Sequence, residues 1–215
     1  CYRRDRGMRT NVYIDGFNLY YGCLKGTPYR WLDLRKLCEL LLPKHQIQRI
    51  RYFTAMVTAR PQDPSQPVRQ DTYLRAIQTQ PDVTVHLGHY LCRSTRMPLA
   101  TPAPGGPATV SVLKSEEKGT DVNIATYLLF DGFEKDYEQA VVISNDSDLK
   151  TPIEMVRTKL NLPVGVVFPT SLPGRHPSQV LLPAATFIRE IREKLLPLCQ
   201  LPPVVSGTIH KPAGW

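Results

Sequence analysis

Apolar residues fall into two alternating patterns along this chain. Short continuous runs, rich in β-branched residues, are followed by longer stretches in which apolar positions recur every three or four residues. Residues 11–14 (Asn-Val-Tyr-Ile) predict a short buried strand that closes at Asp15-Gly16. Over 32–42, Leu34, Leu37, Cys38 and Leu41 keep helical spacing, with Asp33 placed as N-cap and Pro43 as the stop. A second strand is predicted over 50–57. After a loop at 61–67 come a polar amphipathic helix over 68–78 and a third strand over 83–91. Further on, helices are predicted over 120–130 and 149–160, and strands over 139–143 and 164–168. A closing helix is predicted over 184–195. Residues 93–107 are rich in Pro, Gly, Ser and Thr and centre on Pro104-Gly105-Gly106-Pro107. They predict a mobile excursion at the tip of a long hairpin that returns over 109–113.

Strands alternating with helices, the strands being continuous apolar runs, predict an α/β fold with a parallel sheet covered on both faces. Such folds place their chemistry outside the carboxyl ends of the strands. Composition fits one globular domain: 215 residues, 42% hydrophobic and 21% charged. No apolar run approaches the roughly 18 residues of a membrane span, and the charged start lacks the apolar core of a secretory signal, so the expected address is cytoplasmic. Cys1, Cys23, Cys38, Cys92 and Cys199 are scattered without a C-x-x-C pair, which favours reduced thiols over disulfides or zinc. The domain is expected over 8–196, starting at Met8, with residues 1–7 a tag or upstream extension and 197–215 a poorly ordered, Pro- and Gly-containing tail. The net charge of +8 favours polyanionic partners.

Charge matters more once the acidic residues are located. Asp15-Gly16-Phe17-Asn18 follows the first strand, Glu116-Glu117-Lys118-Gly119-Thr120-Asp121 leads into a helix, and Ser144-Asn145-Asp146-Ser147-Asp148 follows the strand over 139–143. Taken singly, each has a plain structural explanation. Asp15 and Asn18 suit a turn or a cap, Asp146 suits an N-cap, and Glu116 and Glu117 suit a solvated charge run. Asp121 resists that explanation, because it shares a helical face with Ile124, Ala125, Leu128 and Leu129, and a buried carboxylate needs a partner. Three converging carboxylates repel one another unless a cation holds them. Hard oxygen donors without His or Cys suit Mg²⁺ or Mn²⁺, which serve a phosphate-bearing substrate.

These three blocks, in this order, resemble the NYN domain, a branch of the PIN-like nucleases. The resemblance spans about 10–168 and implies a three-layer α/β/α sandwich with a mainly parallel sheet, a Mg²⁺ or Mn²⁺ site, and RNA as substrate. Asp15, Asp121 and Asp146 match the metal-binding acids, Asn18 a polar site residue and Asp148 an additional acid of the last block. Asn145 and Leu149 stand where Gly and Phe are commoner; Asn tolerates a left-handed turn, and the change to Leu bears on packing. The expectation is a metal-dependent endoribonuclease acting on single-stranded RNA. Its catalytic set is Asp15, Asn18, Asp121, Asp146 and Asp148, and Lys118, Ser144, Asn145 and Lys150 face the nucleic acid. Tyr20, Tyr21 and Trp31 are candidates for base stacking. The alternative is a non-catalytic RNA-binding or regulatory module with the same fold. A phosphatase would place a second aspartate where Phe17 stands, and a dinucleotide-binding module would follow the first strand with G-x-G-x-x-G.

Overall fold

A computed structural model describes residues 7–59, 61–102 and 104–215, so the segment read as an extension lies, but for Gly7, outside the described residues. Six strands form one parallel sheet: β1 (Arg9–Asp15), β2 (Gln46–Thr54), β3 (Val83–Leu87), β6 (Gln139–Ile143), β7 (Val164–Phe168) and β8 (Phe187–Glu190). Their order is β3-β2-β1-β6-β7-β8. The chain therefore steps outward one way from β1 and the other way from β6, and the crevice beyond their carboxyl ends is the topological switch point.

Alternation along the central strands builds a core on each face. Val12 and Ile14 of β1 and Val141 and Ile143 of β6 face one cluster, which includes Leu34, Leu37, Cys38 and Leu41 of α2 (Leu34–Leu41) and Leu74 and Ile77 of α3 (Gln66–Ile77). Tyr13, Ala140 and Val142 face the other, made with Ile124 and Leu128 of α4 (Thr120–Phe133) and Ile153 and Val156 of α5 (Lys150–Lys159). The result is the expected α/β sandwich. Asp33 caps α2 as anticipated, its side chain accepting from the Lys36 backbone N–H. Within the second core Arg51 makes a bidentate ion pair with Asp131, at 2.8 and 2.9 Å, and the Tyr13 hydroxyl donates to the same carboxylate at 2.7 Å.

Four expectations need correction. The run over 83–91 breaks at Gly88 into β3 and a separate strand, β4 (His89–Pro98). Residues 93–98, expected as part of a mobile excursion, belong to β4, which pairs with β5 (Thr109–Lys118) in a ten-pair antiparallel arm outside the main sheet. The local Pro and Gly content marks only the arm's tip, whereas cross-strand pairing organises its length. The closing helix over 184–195 is absent: Phe187–Glu190 pairs with β7, and a 3-10 turn follows over Glu193–Leu198. The apolar spacing there does resemble a helix, but Phe187 lies where a Cβ on Gly165 would come within 2.2 Å of its ring, so the bare glycine lets an edge strand dock. Finally, the segment after Pro197 is packed. The Leu201 N–H donates to the Trp31 carbonyl, the Trp31 indole to the Pro202 carbonyl, and β9 (Val204–Val205) pairs with β10 (Ile209–His210). No helix among the described residues is long and apolar enough to cross a membrane.

Candidate active site

At the end of β1 the chain enters α1 (Gly16–Leu19) and a π-helical turn, Tyr20–Leu24. Gly16 is required at the corner: a Cβ there would fall 2.7 Å from the Tyr52 ring and 2.8 Å from the Phe53 carbonyl oxygen. Asp15 caps α1 and is only 2% exposed. Its Oδ1 accepts from the Asn18 N–H at 2.9 Å; its Oδ2 accepts from Asn18 Nδ2 at 2.7 Å and from Ser144 Oγ at 2.9 Å. Burial pushes the Asp15 carboxyl above its ordinary value; the donors from Asn18 and Ser144 oppose that rise, and the Asp146 charge adds to it.

Asp146 follows β6 and caps a 3-10 turn, Ser147–Leu149, accepting from the Asp148 N–H at 2.9 Å. Its own N–H donates to Ser144 Oγ at 3.0 Å, so one serine hydroxyl ties both acidic blocks together across the β1–β6 seam. Asp121 opens α4 from the far wall and is half-buried. The structure brings Asp15, Asn18, Asp121 and Asp146 into one cleft with Phe17, Tyr21 and Tyr90. The other candidates lie outside that lining. Ser144 stands behind it, fully buried. Asn145 anchors a neighbouring loop, donating to the His176 carbonyl at 3.0 Å and accepting from the Ser178 N–H at 2.7 Å. Asp148 is exposed, Lys118 pairs with Glu116 at 3.8 Å, and Lys150 pairs with Glu154 at 3.8 Å along α5.

The donor chemistry of this cleft fits a hard divalent cation: carboxylate oxygens with an amide beside them, and no sulfur or imidazole in the lining. The spacing is looser than a closed cage. Among the described residues no three His, Cys, Asp or Glu stand close enough to hold an ion together. Asp15 and Asp146 are close enough to couple electrostatically, so these two, with Asp121 opposite, suit a cation that keeps part of its water shell, as Mg²⁺ commonly does.

On the aromatic side of the cleft, sequence reasoning picked out Tyr21 but missed Phe17 and Tyr90. Tyr90 arrives from the β4–β5 arm, and its ring stacks on Phe17, which stacks on Tyr21, at centroid distances of 6.3 and 6.4 Å. Neither contact has a local signal, since Tyr90 is remote in sequence and Phe17 was read only as a motif position. Trp31, a stacking candidate, is fully buried in the core.

Comparison with known proteins places this architecture. The chain is 36% identical to a Pseudomonas putida protein named 6-hydroxy-3-succinoylpyridine 3-monooxygenase HspA, over 97% of this chain and 75% of that protein. It also shares its fold with a Vibrio parahaemolyticus protein of unknown function, with a TM-score of 0.55 and 18% identity, covering 89% of this chain and 97% of that one. The family described as NYN domain, a nuclease-like family, matches residues 9–190, the span from β1 to the end of β8. With the sheet, the acidic cleft and this match in agreement, the chain belongs to the NYN domain family.

Proposed function

We propose that this protein hydrolyses RNA phosphodiester bonds with a divalent cation, Mg²⁺ or Mn²⁺, held by Asp15 and Asp146 with Asp121 as a direct or water-bridged partner. The observation that carries the reading is the lining of one cleft, at the switch point of the sheet, by acids from three separate loop-to-helix junctions. The cation supplies an activated water and offsets phosphoryl charge. Asn18 and Ser144 hold Asp15 in place through their hydrogen bonds, so its carboxylate is oriented before any substrate arrives. Water attacks phosphorus, the bond to the leaving oxygen breaks, and a proton passes to that oxygen. Asp148, exposed two residues after Asp146, would orient water, and Phe17, Tyr21 and Tyr90 offer ring faces to unpaired bases. Lys118 and Lys150 act at longer range, adding to a net charge of +8 that favours encounter with RNA. Cys23, Cys38 and Cys199 are buried thiols outside any disulfide, which suits a reducing, cytoplasmic location.

Asp146→Asn tests the reading. Asn caps about as well as Asp, so stability should change by less than about 0.5 kcal/mol. An amide is a much poorer ligand than a carboxylate, so Mn²⁺-dependent cleavage of single-stranded RNA should fall by roughly a hundredfold or more, with RNA binding retained. Cleavage at the wild-type rate removes Asp146 from the mechanism. Wild-type protein that binds RNA without metal-dependent cleavage favours the non-catalytic module. A second reading, oxygenation of an aromatic ring, is favoured by the 36% identity to a protein named a monooxygenase. It needs O₂ and a two-electron reductant, so NADH consumption coupled to hydroxylation of a hydroxypyridine, with RNA left intact, would establish it instead.

A further inference from the structure

On the other side of Phe17 and Tyr21 from the acidic cleft lies a second cavity that the hydrolysis reading does not use. Tyr20, Tyr52, Tyr73 and Trp215 bring rings to its walls, and Arg30 and Arg69 bring positive charge. The rings support one another: Tyr73 lies 6.3 Å from Tyr52 and 5.9 Å from Trp215. The cavity volume is about 110 Å³. An apolar cavity of about 150 Å³ takes up benzene, so this space, open at its mouth, has the scale of a single ring and not of an extended chain.

Its polar groups point to a specific ligand. Tyr73 already donates to the Leu32 carbonyl at 3.0 Å, but Tyr52, 7% exposed and in the cavity lining, makes no hydrogen bond among the described residues. That hydroxyl is not among the fully enclosed unpartnered atoms, so it is open to the cavity and can donate to a polar atom of a ligand there. Arg30 spends Nε on the Thr27 carbonyl and Nη2 on the Gly214 carbonyl while its guanidinium lies over the Trp215 ring, leaving Nη1 without a partner among the described residues. Arg69 is partly neutralised by Asp63. Arg30 is therefore the better anion contact.

We propose that this cavity binds one planar six-membered aromatic ring carrying an anionic substituent, the ring lying among Tyr20, Tyr73 and Trp215, with the Tyr52 hydroxyl on a ring substituent and Arg30 on the anion. Two sources share that chemistry, a pyrimidine nucleotide and a free aromatic acid. The site stands apart from the hydrolysis reading, because none of the acids that would hold the cation lines it.

Equilibrium dialysis in EDTA tests it with uridine 5′-monophosphate and nicotinate as probes, and ribose 5-phosphate as a ringless anion. One or both ring probes should bind saturably and resist competition by ribose 5-phosphate. Tyr52→Phe, which removes only the hydroxyl, and Arg30→Gln should each weaken that binding at least tenfold. Tighter uridine monophosphate binding identifies a nucleotide site, and tighter nicotinate binding identifies a site for free aromatic acids. Failure of both ring probes to bind overturns the proposal, as does equal competition by ribose 5-phosphate. Unchanged affinity in Tyr52→Phe does the same, and that variant decides alone if Arg30→Gln does not fold. Chelation keeps metal chemistry out of the measurement, so RNA cleavage and ring binding succeed or fail separately.

Discussion

At the scale of single residues, the cleft is held by side chains that each do two things. Asp15 and Asp146 start helical turns as N-caps and also line the same cleft, which is why a capping explanation and a metal-binding one fit the same residues. The two roles separate under metal. A ligand that binds the folded state at a hundred times its Kd adds about 2.7 kcal/mol of stability. Saturating Mn²⁺ should therefore raise the melting temperature of the wild-type protein, EDTA should abolish the rise, and Asp146→Asn should show little of it. A melting temperature indifferent to Mn²⁺ would count against a cation at these acids. On the same face, the Arg51–Asp131 pair is enclosed, with Tyr13 completing the carboxylate's hydrogen bonds. Asp131→Ala leaves a guanidinium without its counter-charge, and removing one partner of a buried pair costs about 3–5 kcal/mol. Urea unfolding should show that loss; less than about 1 kcal/mol would mean that water reaches Arg51.

The secondary-structure elements divide into those that carry the core and one that does not. Among the described residues, the β4–β5 arm contributes none to either core cluster. Joining Cys92 to Ser115 through a two-residue turn should leave the melting temperature within a few degrees of wild type while Tyr90 stays at the cleft; a molten product would show that the arm's outer part is packed structure. The elements most legible in the sequence were those whose signal is local and whose partners lie on both faces. The strands Gln139–Ile143 and Val164–Phe168 match their expected limits, and Asp33 caps its helix as expected. What escaped was tertiary in origin. Phe187–Glu190 has helix-like spacing but becomes a strand because Gly165 leaves room for Phe187. The segment before Val204 is held by the Leu201 N–H on the Trp31 carbonyl and the Trp31 indole on the Pro202 carbonyl, which composition does not record. The acids of the cleft were visible because they sit at strand ends; Tyr90 was not, because only the folded arm brings it there.

Taken whole, the molecule's stability should depend on pH through a histidine two strands across the sheet from Asp15. His86 stacks on Phe53 beside Arg51, and burial, followed by the Arg51 charge, pushes its pKa from 6.5 down to about 4. Between those values the unfolded chain binds a proton that the folded chain refuses, so stability is full above pH 6.5 and falls as pH drops toward 4. Unfolding free energy measured across that window should lose slope in His86→Phe by close to one proton; an unchanged slope would place the acid sensitivity elsewhere. The order of the strands also has a consequence in time. β1 and β6 are neighbours in the sheet, yet Ser144 and the Asp15 it bonds are 129 residues apart in the chain. A ribosome adds about 5–20 residues per second, so β1 emerges and waits on the order of ten seconds before its neighbour exists. Until then Asp15 has neither the serine that orients it nor the second acid that faces it. A nascent chain that has not yet released β6 thus carries no assembled cleft, and whatever chemistry the cleft performs waits on that strand.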